Sequence, residues 1–197
     1  MGNLSKSLLV SVLALGGCAK SAPPPAAATT ASPSVEGVER WLPLKNATVY
    51  AYDTVSEPSG EKGMLVLEVR RARTSMVELS VAGRVQRVEV DATGIRHVTG
   101  GWLLKEPPTL GARWKGDFGA VEVTAIDRQV SVPAGKFTGC LETVESLAGA
   151  DFNKRTTTVY CSGVGIATRR TEVESNEGNG VESLNLRSFG PKFEAFQ

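Results

Sequence analysis

Groups that could attack a bond, carry a proton or hold a metal are few in this sequence. The single histidine, His97, stands in Ile95-Arg96-His97-Val98, a stretch that reads as a short strand. A nucleophile–histidine–acid relay would have to run through it, and no Gly-x-Ser-x-Gly turn is present to supply the nucleophile. His97 is therefore expected as an imidazole on a strand surface. Glu142 and Glu145 are the nearest approach to a carboxylate pair, but three positions apart on a strand they point to opposite faces. Asp53, Asp91, Asp117 and Asp127 fall at strand ends or turns, where aspartate serves backbone amides. No glycine loop leads into a helix that could cradle a phosphate, and a metal site needs more than two good ligands. The expectation is no catalytic residue, no metal ligand and no cofactor. Three cysteines remain, at positions 18, 140 and 161.

Cys18 belongs to another kind of chemistry. It follows Lys6 and an apolar run of eight residues, 8–15, then two glycines. Eight residues are too few to span a bilayer as a helix, which takes about 20. A basic start, a short apolar stretch and small residues make a secretory signal. Leu15-Gly16-Gly17-Cys18 resembles the lipobox of bacterial lipoproteins, in which a diacylglycerol is joined to the cysteine before cleavage. The resemblance implies a signal peptide over 1–17 and a mature chain that begins at lipidated Cys18, its link to the membrane. Ala19 and Lys20 lack the aspartate that retains such proteins at the inner membrane of double-membrane bacteria, so the resemblance implies a cell-envelope location at the outer membrane. Several acyl chains at ~0.8 kcal/mol per buried CH₂ hold firmly where one chain is marginal.

With Cys18 acylated, Cys140 and Cys161 are left as a pair in an oxidising compartment, where disulfides persist. They lie on the two arms of a hairpin, 137–146 and 155–161. Pairing them centres that hairpin between Ala150 and Asp151, among the turn residues Ala148-Gly149-Ala150-Asp151. A cross-strand disulfide is expected.

The precursor holds 22 Lys+Arg against 21 Asp+Glu. Removal of 1–17 takes Lys6 and no acid, so the mature chain is formally neutral. Nucleic-acid binders carry a basic patch or a basic domain, and nucleic acid is not an expected partner.

The positioning elements follow a simple order. Residues 18–34 are the lipidated cysteine and an Ala/Pro/Ser/Thr tether containing Pro23-Pro24-Pro25, with little to bury. From there, 35–197 reads as one β-domain of a size that supports a sizeable core. One helical turn could form over 35–42 before Pro43. From Ala47 onward, apolar and polar residues alternate, as in Leu65, Leu67 and Val69 against Glu68 and Arg70. Turn sequences punctuate the alternation at Glu57-Pro58-Ser59-Gly60, Ala82-Gly83, Pro133-Ala134-Gly135 and the expected loop Asn176-Glu177-Gly178-Asn179-Gly180. One buried face per strand is antiparallel behaviour. The expected fold is all-β: an antiparallel meander of about ten strands, with little helix, curled into a barrel, a half-barrel with a partial plug, or a sandwich. Charged outward faces and 6% aromatics oppose a membrane-spanning barrel with aromatic girdles.

Four segments resemble an uncharacterised family of bacterial exported β-domains, often lipoproteins. They are Trp41-Leu42-Pro43-Leu44, Gly111-Ala112-Arg113-Trp114, Val132-Pro133-Ala134-Gly135-Lys136-Phe137 and Tyr160-Cys161-Ser162-Gly163-Val164-Gly165. The family's glycine and aromatic after the opening motif are replaced here by Asn46-Ala47-Thr48. These are turn and core motifs, which imply a fold and say little of activity. Related envelope proteins, the lipoprotein-localisation carriers, hold acyl chains in a curved half-barrel.

Trp41, Trp102, Trp114, Tyr50 and Tyr52 are expected in the core before a pocket lining. Arg96 and Arg113 are expected in solvent before an anionic headgroup. Three functions follow in order: a non-catalytic envelope-assembly or protein-interaction module with an envelope protein partner; a binder of a lipid or other hydrophobic ligand within the curved sheet; and, well behind, a hydrolase. The first predicts exposed strand edges or an apolar patch. The second predicts an enclosed pocket lined by alternating Leu and Val.

Overall fold

The computed structural model describes residues 37–193; the lipobox, Cys18 and the tether lie outside them. A short 3-10 turn, Gly37–Arg40, precedes twelve strands: β1 (Thr48–Glu57), β2 (Glu61–Arg73), β3 (Met76–Val81), β4 (Arg84–Asp91), β5 (Gly94–His97), β6 (Trp102–Lys105), β7 (Arg113–Lys115), β8 (Ala120–Val132), β9 (Gly135–Ala148), β10 (Phe152–Cys161), β11 (Gly165–Ser175) and β12 (Gly178–Pro191). All pair antiparallel in one sheet of order β6-β5-β4-β3-β2-β1-β12-β11-β10-β9-β8-β7.

That order places the first and last strands side by side and leaves β6 and β7, consecutive in the chain, as the two edges. The edges meet without a ladder. Trp114 Nε1 donates to the Trp102 carbonyl at 3.1 Å, and Gly101 N–H donates to Asp117 Oδ1 at 3.2 Å. At Gly101 the two backbones come so close that any Cβ would collide with the Gly116 carbonyl. The sheet is thus a nearly closed barrel with one seam, a solution to the exposure of strand edges.

The alternation seen in the sequence is the wall. Val77, Val88, Ile95, Leu104, Leu141 and Leu186 are fully enclosed, each contributing about 1.5–3 kcal/mol by burial. Trp114 belongs to a three-residue strand of its own, too short for alternation to reveal. Residues Ala120–Val132 form one strand, β8, although their alternation breaks after Ala125. Its register against β9 shifts three times between Val123 and Val130, so bulges interrupt the period.

The expected loop at 176–180 is only a two-residue turn. Ser175 pairs with Gly178 and Glu174 with Asn179. The Ser175 hydroxyl donates to the Gly178 carbonyl and accepts from Glu177 N–H. Side-chain bonding tightens the turn and leaves the glycines in the ladder.

One end of the barrel is stoppered, as in the partial-plug alternative. The 3-10 turn and Trp41–Leu44 cross the end that carries the turns following the even-numbered strands. Val38, Leu42 and Leu44 are buried there. Gly163 N–H donates to the Arg40 carbonyl at 2.8 Å, Tyr50 Oη donates to the Pro43 carbonyl at 2.8 Å, and Glu39 pairs with Arg71. Gly37 starts this turn at φ +76°, a conformation glycine adopts freely.

In the β9–β10 hairpin, every pair from Ala148↔Asn153 to Leu141↔Tyr160 follows a single register. Cys140 and Cys161 are the next pair, disulfide-bonded with Cα atoms 4.3 Å apart. This is the close spacing of a non-hydrogen-bonded antiparallel pair, and it is the pairing that the turn position implied.

Candidate functional site: the barrel interior

Above the plug the barrel holds a chamber of about 190 Å³. Leu42 and Leu44 form its floor. Leu65, Leu67, Leu79 and Val81 line one side, Ile166 and Leu184 the other. Leu65, Leu67, Leu79, Val81 and Leu184 sit at alternate inward positions of their strands, and a register shift in β11 between Ile166 and Thr168 brings Ile166 to the same face.

The chamber's polar atoms come from three tyrosines and three further side chains. Tyr50, Tyr52 and Tyr160 are buried. Burial pushes the Tyr50 and Tyr160 hydroxyls up to about 12, and it raises Tyr52 further with help from the two neighbouring tyrosines. All three therefore stay neutral. Gln86, His97 and Arg169 stand where the chamber meets an open cleft of about 840 Å³, which they share. Val85, Arg87, Val98 and Asp117 complete that mouth.

The position of His97 corrects the expectation of a surface imidazole. Its side chain is only 16% exposed and its Nε2 lies 3.0 Å from Asp117 Oδ2. Parity explains it. Ile95 is fully buried, Arg96 points outward to Glu89, and His97 returns to the inner face opposite buried Val88. The His97–Asp117 pair spans the seam from the β5–β6 side to the β7–β8 turn. Burial opposes charge on Asp117, yet hydrogen bonding and attraction from His97, the Gly101 N–H and the Arg169 charge hold its carboxyl below the usual aspartate value.

Beside the chamber lies a second, polar hollow of about 40 Å³, bordered by Thr143, Glu145, Thr156, Thr158, Tyr160 and Arg169. Glu145 faces inward, and its Oε1 accepts from Phe118 N–H at 2.8 Å and Gly119 N–H at 3.0 Å. It thereby fixes the β7–β8 turn that carries Asp117. Glu142 faces out, paired with Arg128 at 3.0 Å. The two glutamates lie on opposite faces, as their spacing required. Thr156 and Thr171 share a hydrogen bond of 3.0 Å.

Other candidates are accounted for on the outside. Arg96 pairs with Glu89, Arg113 with Glu122 and Asp53 with Arg187. Asp91 accepts from Thr93 N–H at 2.7 Å. Trp114 is core; Trp102 is half-buried beneath Arg96 and Lys105. Both described cysteines are consumed by the disulfide. Among the described residues no cluster of three His, Cys, Asp or Glu could hold a metal, and no helix is long and apolar enough to cross a membrane.

Sequence reasoning missed Arg169 and Glu145 as interior residues. In Arg169-Arg170 one member must face inward, and only the placement of Ala167 and Thr171 on the inner face shows that it is Arg169. The four motif segments gather around the plugged end. Ala134 N–H donates to the Leu186 carbonyl at 3.0 Å, and Gly165 backs onto the Tyr50 ring, leaving a Cβ only 3.3 Å from it. From these segments Leu42, Leu44 and Tyr160 line the chamber, and none of their residues lines its mouth.

No protein-family model matches the chain, and no curated protein matches it. Two solved structures resemble it. One is a Bacteroides fragilis protein described as exported and of YmcC-like fold. It is 13% identical, with a TM-score of 0.47 over 76% of this chain and 98% of that one. The other is a Parabacteroides distasonis protein described as a lipoprotein. It is 10% identical, with a TM-score of 0.44 over 76% of this chain and 98% of that one.

Proposed function

We propose that this chain is a non-enzymatic envelope lipoprotein whose barrel binds a small hydrophobic ligand. The observation that carries the reading is the chamber: about 190 Å³, walled mainly by inward leucines with Val81, Ile166 and three neutral tyrosines, closed below by the plug and open above. An engineered apolar cavity of about 150 Å³ takes up benzene. A group of roughly six to eight carbons therefore suits this one, with its remainder in the mouth. The anchor at Cys18 rests on the lipobox resemblance, and an outer-membrane site on the residues that follow it.

The interaction-module reading is supported by exposed apolar residues near the mouth end, Met64 at 64% and Val85 at 58%. It is weakened by the edges β6 and β7, which face each other and not solvent. The deciding experiment is native mass spectrometry of the lipidated protein extracted from an expressing bacterium, with analysis of whatever is released on denaturation. A stoichiometric apolar species separate from the covalent lipid is the expected result. A ligand-free mass, with crosslinks from Met64 and Val85 to an envelope protein, would replace binder by interaction module.

A further inference from the structure

Arg169 is the one fixed positive charge that lines all three spaces: the chamber, the mouth and the polar hollow. It lies on β11 opposite Thr158, one of the buried threonines of the inner wall. The ion pairs found among the described residues do not include it. The two nearby carboxylates are already engaged. Asp117 is held by His97 and the Gly101 N–H, Glu145 by two amides of the β7–β8 turn. No carboxylate lines the apolar chamber; its ionisable lining is Arg169, His97 and three tyrosines kept neutral by burial. A guanidinium offers a planar fork of donors matched to carboxylate or phosphate oxygens. Arg169 is half-buried at the open mouth; it acts on Asp117 through its charge without an ion pair to it, so its guanidinium donors are left for a ligand.

We infer that the ligand is an anionic amphiphile, its apolar chain in the chamber and its carboxylate or phosphate at the mouth against Arg169, with Gln86 and His97 beside it. The inference rests on the reading of the barrel as a ligand binder and specifies the ligand's head. Asp117 sets the limit of the site. It makes the seam side of the mouth acidic, so the head is placed on the Arg169–Gln86 side. An amphiphile with a cationic head meets Arg169 instead of a counter-charge.

The test uses the full chain made by cell-free synthesis under oxidising conditions, so that Cys18 carries no lipid. Octanoate, octyl phosphate, octanol and octylammonium are titrated in by calorimetry. Hydrogen bonds to charged groups are worth about 1.5–3 kcal/mol, so the anions should bind roughly tenfold or more tightly than octanol. Arg169→Gln should erase that preference while octanol affinity persists, and Arg169→Lys should keep part of it. Stronger binding of octyl phosphate than of octanoate would support a lipid headgroup as the source; the reverse order would support a free fatty acid.

Equal affinity for octanoate and octanol, or a preference for octylammonium, would overturn the anionic head and leave the binder reading standing. Failure of all four to bind would remove both. If Arg169→Gln does not fold, the wild-type comparison of octanoate with octanol still decides, and the octanoate affinity should fall with added salt whereas that of octanol should not.

Discussion

The two halves of the barrel wall are built on different rules. From β1 to β6 the inner face is aliphatic and aromatic but for Gln86 and His97 at the mouth: Tyr50, Tyr52, Leu67, Val77, Leu79, Val88 and Ile95. From β9 to β11, toward the mouth, the inner face turns to Thr143, Glu145, Thr156, Thr158, Arg169 and Thr171, with Leu141 and Tyr160 returning only near the plug. The polar half is satisfied: among the described residues no buried side-chain nitrogen or oxygen lacks a partner. Buried polar groups are tolerated on that condition. The polar half is also the one that carries the disulfide. The interior of the first half is held chiefly by packing, whereas that of the second adds side-chain hydrogen bonds and a covalent tie. The contrast shows how one meander can give a chamber both a dry wall and a wall able to address a charged head.

That contrast can be tested by removing what is peculiar to the polar half. The largest effect is expected from the covalent tie. Replacing Cys140 and Cys161 together by alanine opens a loop closed over 21 residues and should cost about 3 kcal/mol in the chain-entropy account, read from the guanidinium unfolding midpoint. An unchanged midpoint would mean that the second half needs no more than the first. Thr156→Val comes next. It strands the Thr171 hydroxyl and should cost about 1–2 kcal/mol, while the double replacement Thr156→Val with Thr171→Val should recover most of it. Additive losses in that cycle would show that the two hydroxyls do not depend on each other.

The smallest effect concerns the seam between the halves. The Asp117 carboxyl is held below its usual value, so in the unfolded chain it binds its proton more readily, near pH 3.9. The stability it confers is present above that value and is lost as pH falls through the lower folded one. Melting temperatures of wild type and Asp117→Asn should differ steadily above about pH 5 and converge as the pH drops below about 4. A gap that persists at pH 2 would rule out the carboxylate's charge as its origin.

The wall was legible in the sequence because a one-faced strand needs alternation, and β2, β3 and β4 supply it. The β9–β10 register was legible too, since the turn residues and the two cysteines agreed on one centre. The polar interior was not. Arg155-Thr156-Thr157-Thr158 is polar at every position, so period two gives no inside, and only the neighbours that satisfy Thr156 and Thr158 identify one. His97 was readable from the parity of Ile95 but was weighed by residue type instead of position. The seam escaped because no local pattern marks it. It is made where the Gly100-Gly101 turn and the Gly116 backbone, far apart in pairing order, come into contact.

The adjacency of β1 and β12 also has a consequence in time. β1 ends at Glu57 and β12 begins at Gly178, so about 120 residues of synthesis separate the two sides of that ladder. β1 therefore waits for its outer neighbour until nearly the whole chain has emerged. From Lys105 until Gly178 has emerged, β1 to β6 can exist only as a meander with two bare edges and an uncovered aliphatic face. The half of the barrel that is driest when finished is the half that stays open longest as the chain is made.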